Sequence, residues 1–215
     1  MYIQITTRCN MNCAHCGYAC GPNGDNMSLE TFKIILDKWG GKIAKHHSCI
    51  MLGGGEPTLH PEFWEFVEHA SMYALPWIAT NGAKTSDAIS LARLAKQNKV
   101  IATLSLDQWH DPIEQCVIDE FKNGLTKHRG KWEEWSSNTK GDNRLIRTVI
   151  NPRKSGRCKE GENECCCRIV TIEPKGNIRF CGCLDAPIIG AVKKGFISKY
   201  IGLPWSGLCF KDQLL

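Results

Sequence analysis

Apolar residues recur along this chain with two periods. Tyr2 to Thr6, Cys49 to Leu52, Trp77 to Thr80, Val100 to Ser105 and Leu145 to Ile150 are short runs rich in β-branched and aromatic residues, and they read as strands. Longer stretches between them repeat apolar positions every third or fourth residue. Ser28-Leu29-Glu30 caps a helix to about Trp39 that carries Phe32, Ile35 and Leu36 on one face. Pro61 opens a second helix as its first residue, and Ile89, Leu91 and Leu94 mark a third. Asp111-Pro112-Ile113-Glu114 reads as the cap and first turn of a fourth that ends near Asn123. Five or six alternations of strand and helix predict an α/β fold, a partial (β/α)6-type TIM barrel rather than a complete eight-stranded one.

The pattern changes after residue 150. We expect residues 1–150 to form the barrel and residues 151–215 a small extension. There, Arg168 to Glu173 and Ile178 to Cys181 flank Pro174-Lys175-Gly176-Asn177, a hairpin with a four-residue loop. Seven of the 13 cysteines fall in this extension: Cys158, Cys165, Cys166, Cys167, Cys181, Cys183 and Cys209.

Composition narrows the setting. At 215 residues the chain is long enough for one domain with an appendage. Its net charge of +5 is spread along the sequence, which permits an anionic partner such as nucleic acid without demanding one. No run approaches the ~18 apolar residues of a membrane span, and Met1-Tyr2-Ile3-Gln4 does not start a signal peptide. An odd cysteine count with short spacings points to metal ligation in a reducing cytoplasm rather than to disulfides.

The chemistry starts at Cys9, Cys13 and Cys16, a CxxxCxxC set in one short loop after the first strand. Three thiolates on one loop suit a [4Fe-4S] cluster whose fourth iron is left open to another ligand. The alternative is a zinc site that takes Cys20 as its fourth ligand, which leaves the next motif without a role. That motif is Gly53-Gly54-Gly55-Glu56-Pro57 at the end of the second strand, where glycines let backbone approach a ligand closely.

Together the two motifs resemble the radical S-adenosylmethionine (SAM) superfamily. The resemblance implies that Cys9, Cys13 and Cys16 hold a cluster whose open iron chelates SAM, with His15 just before the third cysteine. It also implies that Gly53, Gly54, Gly55 and Glu56 face the methionine end of SAM. Polar residues at the ends of the third and fourth strands, Asn81, Ser105 and Asp107, are candidates for its ribose or carboxylate. Asn81-Gly82 equally reads as a turn, and Asp111 as a helix cap. Asp107 and His110 beside the barrel mouth are the candidate catalytic, proton-handling residues, and Trp109 either lines the pocket or packs.

The extension resembles the SPASM or Twitch segments of the same superfamily, in shortened form. Cys166, Gly176 and Cys181 match the opening of that pattern, which implies an auxiliary iron–sulfur cluster drawing on Cys166, Cys167, Cys181, Cys183 and Cys209. A structural zinc or unligated thiols are the alternatives there.

The resemblance implies reductive cleavage of SAM to a 5′-deoxyadenosyl radical, hydrogen abstraction, and oxidation or rearrangement of a small-molecule, peptide or nucleotide-derived substrate. A flavodoxin or ferredoxin would supply electrons. The cluster motif at residue 9 leaves little room for an N-terminal peptide-recognition domain, which speaks against a leader-dependent maturase. A glycyl-radical activase and a non-catalytic SAM-binding iron–sulfur protein stay open as other classes. Lys127-His128-Arg129-Gly130-Lys131-Trp132 and Trp135 read either as a polymer-binding loop or as a solvated one.

Overall fold

The computed structural model describes residues 1–46, 49–129, 133–149, 156–158, 170–182, 184 and 186–194. Its first half is a regular alternation: β1 (Tyr2–Thr6), α1 (Leu29–His46), β2 (Cys49–Gly54), α2 (Phe63–Ser71), β3 (Leu75–Thr80), α3 (Thr85–Lys96), β4 (Ile101–Ser105) and α4 (Gln115–Lys122). Among the described residues the second half forms strands and a 3-10 turn: β5 (Thr126–Arg129), β6 (Glu133–Ser136), β7 (Arg144–Thr148), β8 (Thr171–Ile172), β9 (Asn177–Arg179) and β10 (Ile188–Ala191). All ten strands share one sheet in the order β10-β9-β8-β1-β2-β3-β4-β7-β6-β5. The six from β8 to β7 run parallel, and antiparallel partners flank them on both sides. This is the α/β fold expected, a mostly parallel sheet of the partial-barrel kind.

Alternation along each strand separates two faces. Ile3, Ile5, Ile50, Leu52, Ile78, Ala102, Leu104 and Ile146 are fully buried and pack with Phe32, Ile35, Leu36, Phe66, Leu91, Val117 and Phe121 of the helices. Each fully buried Ile, Leu, Val or Phe among them contributes about 1.5–3 kcal/mol. The intervening positions, Tyr2, Gly53, Ala79 and Ser105, turn to the other side and line the cavity described below.

Several boundaries differ from the sequence reading, each for a local reason. α1 is capped as expected, with the Thr31 amide donating to Ser28 Oγ at 3.2 Å. It continues through Gly40 and Gly41 to His46, and a Cβ on Gly40 would lie 2.3 Å from the Tyr73 ring, so this glycine admits a neighbour rather than ending the helix. Pro61 is not the first residue of α2. His60 closes a turn there, its carbonyl accepting from the Phe63 amide and its Nδ1 from the Glu62 amide, and the helix starts at Phe63. Asp111 does not cap α4, which has Glu114 at that position. The chain stays out of helix from Asp111 to Glu114, and Ile113 packs over Gly82, where a Cβ would lie 2.7 Å from its Cδ1.

Of the basic stretch after α4, Lys127, His128 and Arg129 lie in a strand rather than a loop, and Gly130, Lys131 and Trp132 lie outside the described residues. Thr126–Arg129 and Glu133–Ser136 pair antiparallel and extend the sheet. Trp135 is covered by this chain's own cations, Lys122 Nζ at 4.8 Å and Lys127 Nζ at 5.9 Å from its ring centre, so the ring is part of the packing. The predicted extension hairpin is present as β8 and β9, with Thr171 opposite Arg179. β10 was not anticipated. Among the described residues no helix is long and apolar enough to cross a membrane.

Candidate active site

The C-terminal ends of β1 to β4 converge on a cavity of about 260 Å³ lined by Cys9, Cys13, Cys16, His15, Gly53 to Glu56, Asn81, Ser105 and His110. The loop after β1 holds its shape through backbone bonds: the Cys9 amide donates to the Gly21 carbonyl at 2.9 Å and the Cys16 amide to the Cys13 carbonyl at 3.1 Å. A sulfur also takes part, because the Met11 amide donates to Cys9 Sγ at 3.4 Å.

The triple glycine seats β2 against this loop. Gly55 and Glu56 donate their amides to the Thr6 and Arg8 carbonyls, at 2.9 and 2.8 Å. A Cβ on Gly54, whose φ is +128°, would fall 1.8 Å from the Thr6 oxygen, and one on Gly55 2.0 Å from the Arg8 oxygen. Side chains are therefore barred by the chain itself, before any ligand is considered.

Glu56 is 1% exposed and spends its carboxyl on its neighbours. Oε1 accepts from the Thr58 amide, the Thr58 hydroxyl and the Thr80 hydroxyl at 3.2, 2.7 and 2.9 Å, and Oε2 from the Asn81 amide at 2.7 Å. Burial raises its pKa against the pull of these donors. Asn81 in turn donates to Asn10 Oδ1 at 2.9 Å and accepts from the Ala83 amide at 3.0 Å. It is thus the turn residue, and it also braces the cysteine loop.

On the other side of the cavity, Asp107 and His110 form a dyad. Asp107 Oδ1 lies 2.8 Å from His110 Nδ1 and accepts from the Trp109 amide at 2.9 Å, while Oδ2 accepts from the Val149 amide at 3.2 Å. Burial alone would raise the Asp107 pKa, but the bond to His110 and the two amides prevail and hold it below the usual value. The His15 ring meets His110 edge-on at 5.0 Å, and desolvation lowers its pKa. His15 Nδ1 and Trp109 Nε1 are both buried without a partner among the described residues, and the two rings lie 5.8 Å apart.

The three thiols suit a cluster better than one ion. Sulfurs around a single tetrahedral zinc sit roughly 3.8 Å apart. Among the described residues the only three candidate metal-ligand groups within 4.8 Å of one another belong to His15, Asp107 and His110. Cys9, Cys13 and Cys16 thus offer soft donors at wider spacing around one cavity, which fits a multinuclear iron–sulfur group. Cys20 is buried, and its hydrogen bond to Cys16 pulls the Cys16 pKa down to about 5 and raises that of Cys20. Burial pushes Cys13 up to about 11.

Sequence reasoning missed Val149, whose amide supports Asp107, and Arg157. Arg157 lines the same cavity and donates to three carbonyls of the cysteine loop. No local motif marks it, since its partners lie more than 130 positions earlier. Of the extension's expected ligands, Cys181 is buried just after β9, and Cys166, Cys167, Cys183 and Cys209 lie outside the described residues.

A mostly parallel sheet that gathers three cysteines and a glycine-rich strand end around one cavity defines a class: SAM-dependent proteins built on an iron–sulfur cluster. The family profile described as the radical SAM superfamily matches residues 3–136, and the chain belongs to that superfamily, whose cofactors are a [4Fe-4S] cluster and SAM. It is 31% identical over 106 residues to mycofactocin maturase MftC of Mycobacterium ulcerans, covering 48% of this chain and 28% of that one. It is 33% identical over 136 residues to the tungsten-containing aldehyde ferredoxin oxidoreductase cofactor-modifying protein of Pyrococcus furiosus, covering 61% and 37%. The matches thus span about a third of these relatives' length. Among solved structures, BtrN in complex with AdoMet and 2-DOIA superposes with a TM-score of 0.63 at 16% identity, over 92% of this chain and 79% of that one. Native anSMEcpe with bound AdoMet and the Cp18Cys peptide gives 0.53 at 14% identity, over 94% and 81%. These two likenesses concern the fold. The homologues are maturases and modifying enzymes, which supports an enzyme here.

Proposed function

We propose that this chain is a radical SAM enzyme that abstracts a hydrogen atom from a peptide or small-molecule substrate and oxidises or rearranges it. Cys9, Cys13 and Cys16 hold the cluster in this reading, Gly53 to Glu56 and Asn81 shape the methionine end of the SAM site, and Ser105 lies at the far strand end. When bound, the cluster and SAM supply reductive carbon–sulfur cleavage and the 5′-deoxyadenosyl radical that abstracts hydrogen. Electrons would come from a flavodoxin or ferredoxin.

The observation that carries the proposal is the meeting of the three thiols, the glycine strand end and a carboxylate-supported histidine on one cavity. In this reading the His110 Nδ1–H donates to Asp107, which leaves Nε2 as the acceptor. Its role is to take a proton from the substrate as oxidation proceeds, with Asp107 holding the ring and stabilising the charge that forms. The peptide and small-molecule classes are favoured by the relatives' printed roles as maturase and cofactor-modifying protein. An auxiliary cluster in the extension, with Cys181 as a ligand, would accept the second electron or bind substrate.

The test is anaerobic reconstitution followed by product analysis with dithionite and SAM. Wild type is expected to release 5′-deoxyadenosine, and Cys13→Ala to release none while keeping its circular dichroism spectrum. Cleavage retained in Cys13→Ala would overturn the ligand assignment. Binding of SAM by wild type with no cleavage would leave a SAM-binding iron–sulfur protein instead of an enzyme.

A further inference from the structure

The segment around Arg157 lies beyond the stretch matched by the family profile, which ends at residue 136, yet it is fastened to the cysteine loop. The Arg157 amide donates to the Cys16 carbonyl at 3.0 Å, Nε to the Cys13 carbonyl at 3.2 Å, and Nη1 to the Cys20 carbonyl at 2.6 Å. Those three carbonyls span the turn that presents Cys13 and Cys16. The approach is close enough to require glycine just before it. Gly156 has φ +57°, and a Cβ there would lie 2.6 Å from the Cys16 oxygen and from Gly17 backbone atoms. The next residue, Cys158, is 6% exposed, so the segment is anchored on both sides of the arginine.

A clamp of backbone bonds could be made by any donor. Arg157 adds a permanent positive charge that lines the cavity itself. A cluster held by thiolates gains negative charge on reduction, and a fixed cation nearby favours the reduced form.

We propose that Arg157 is a positioning residue that fixes the cysteine loop and raises the reduction potential of the cluster held there. The inference rests on the reading that Cys9, Cys13 and Cys16 are the ligands. A unit charge within roughly 10 Å, at an effective dielectric constant near 20, changes the ratio of reduced to oxidised cluster by about tenfold, or 59 mV for one electron.

The test compares wild type with Arg157→Lys and Arg157→Gln, each reconstituted anaerobically, by iron content and an EPR-monitored redox titration in the absence of SAM. The signal followed is the one abolished in the Cys9, Cys13 and Cys16 triple alanine variant. If that variant retains every signal, the ligand reading fails, independently of Arg157. The expected result is a reduced-to-oxidised ratio about tenfold lower for Arg157→Gln at a fixed poise, with Arg157→Lys close to wild type. Equal potentials in all three proteins would overturn the proposal, and so would equal shifts in Lys and Gln, which would mean packing rather than charge. If Arg157→Gln retains no iron, retention by Arg157→Lys supports the charge, and loss from both overturns it.

Discussion

Glu56 sits in a motif that the family resemblance assigns to SAM, yet its carboxyl is engaged by four donors of the chain itself. Replacing it should therefore cost stability with no SAM present. In Glu56→Ala the Thr58 and Thr80 hydroxyls can turn to other partners, and Thr80 Oγ1 keeps the Gly82 amide at 3.0 Å. The Thr58 and Asn81 amides cannot turn, and these residues are 0% and 6% exposed, so water does not replace the carboxylate. Two buried amides without acceptors cost about 1–3 kcal/mol each, which places the variant about 4 kcal/mol below wild type. Glu56→Gln keeps an acceptor for the Thr58 and Thr80 donors but sets its own amide against the Asn81 amide, and about 2 kcal/mol is expected. Because the folded pKa is raised above the usual 4.5, the folded chain holds this proton more tightly than the unfolded one. The associated stability is complete below 4.5 and is lost as pH rises through the folded value, so the gap between wild type and Glu56→Gln widens on acidification. Anaerobic urea denaturation followed by circular dichroism gives all three values. A Glu56→Gln protein within about 0.5 kcal/mol of wild type would refute the network and return Glu56 to a purely ligand-facing role.

Two further substitutions probe the same cavity. Asp107→Asn should lose about 1–3 kcal/mol at neutral pH, and since the Asp107 pKa is held below 3.8, that contribution is present above 3.8 and disappears as pH falls through the folded value; a pH series of urea midpoints checks whether the gap closes in acid. Gly54→Ala meets the Thr6 oxygen and an unfavourable φ together, and about 3 kcal/mol or more should be lost, whereas Gly21→Ala, with nothing within 4 Å of the added carbon, should stay within about 0.5 kcal/mol of wild type in the same assay.

What could be read from the sequence was what is encoded locally. Ile3 and Ile5, or Phe32, Ile35 and Leu36, state their element by spacing alone, and the structure buries all five. The cysteine loop and the glycine strand end are likewise contiguous motifs, and the cavity contains both. Boundaries failed where a tertiary partner outweighed the local signal: Tyr73 against Gly40 lets α1 run on, and Ile113 over Gly82 keeps Asp111-Pro112 out of helix. The hairpin of β5 and β6 was hidden because its charged residues, Lys127, His128 and Arg129, look like loop. On a sheet edge, charge of that kind instead discourages pairing with another chain.

The position of the site follows from the order of the sheet. β1 to β4 each hand over to a loop at the same end, so four successive loops bring the cysteines, the glycine-rich turn, Asn81 and the Asp107–His110 dyad to one place. Beyond β4 on one side and β1 on the other, the described residues add no further βα unit but antiparallel ribbons, β6 with β5 and β9 with β10. Such ribbons add width without further crossover loops, so all four loops that make the site come from the first 110 residues. What the later chain contributes must arrive from outside that series. The two contributions seen do so: Val149, just past β7, supplies an amide to Asp107, and Arg157 reaches the carbonyls of Cys13, Cys16 and Cys20. Both follow the last βα unit and hold Asp107 and the cysteine loop from outside the series of strand-end loops.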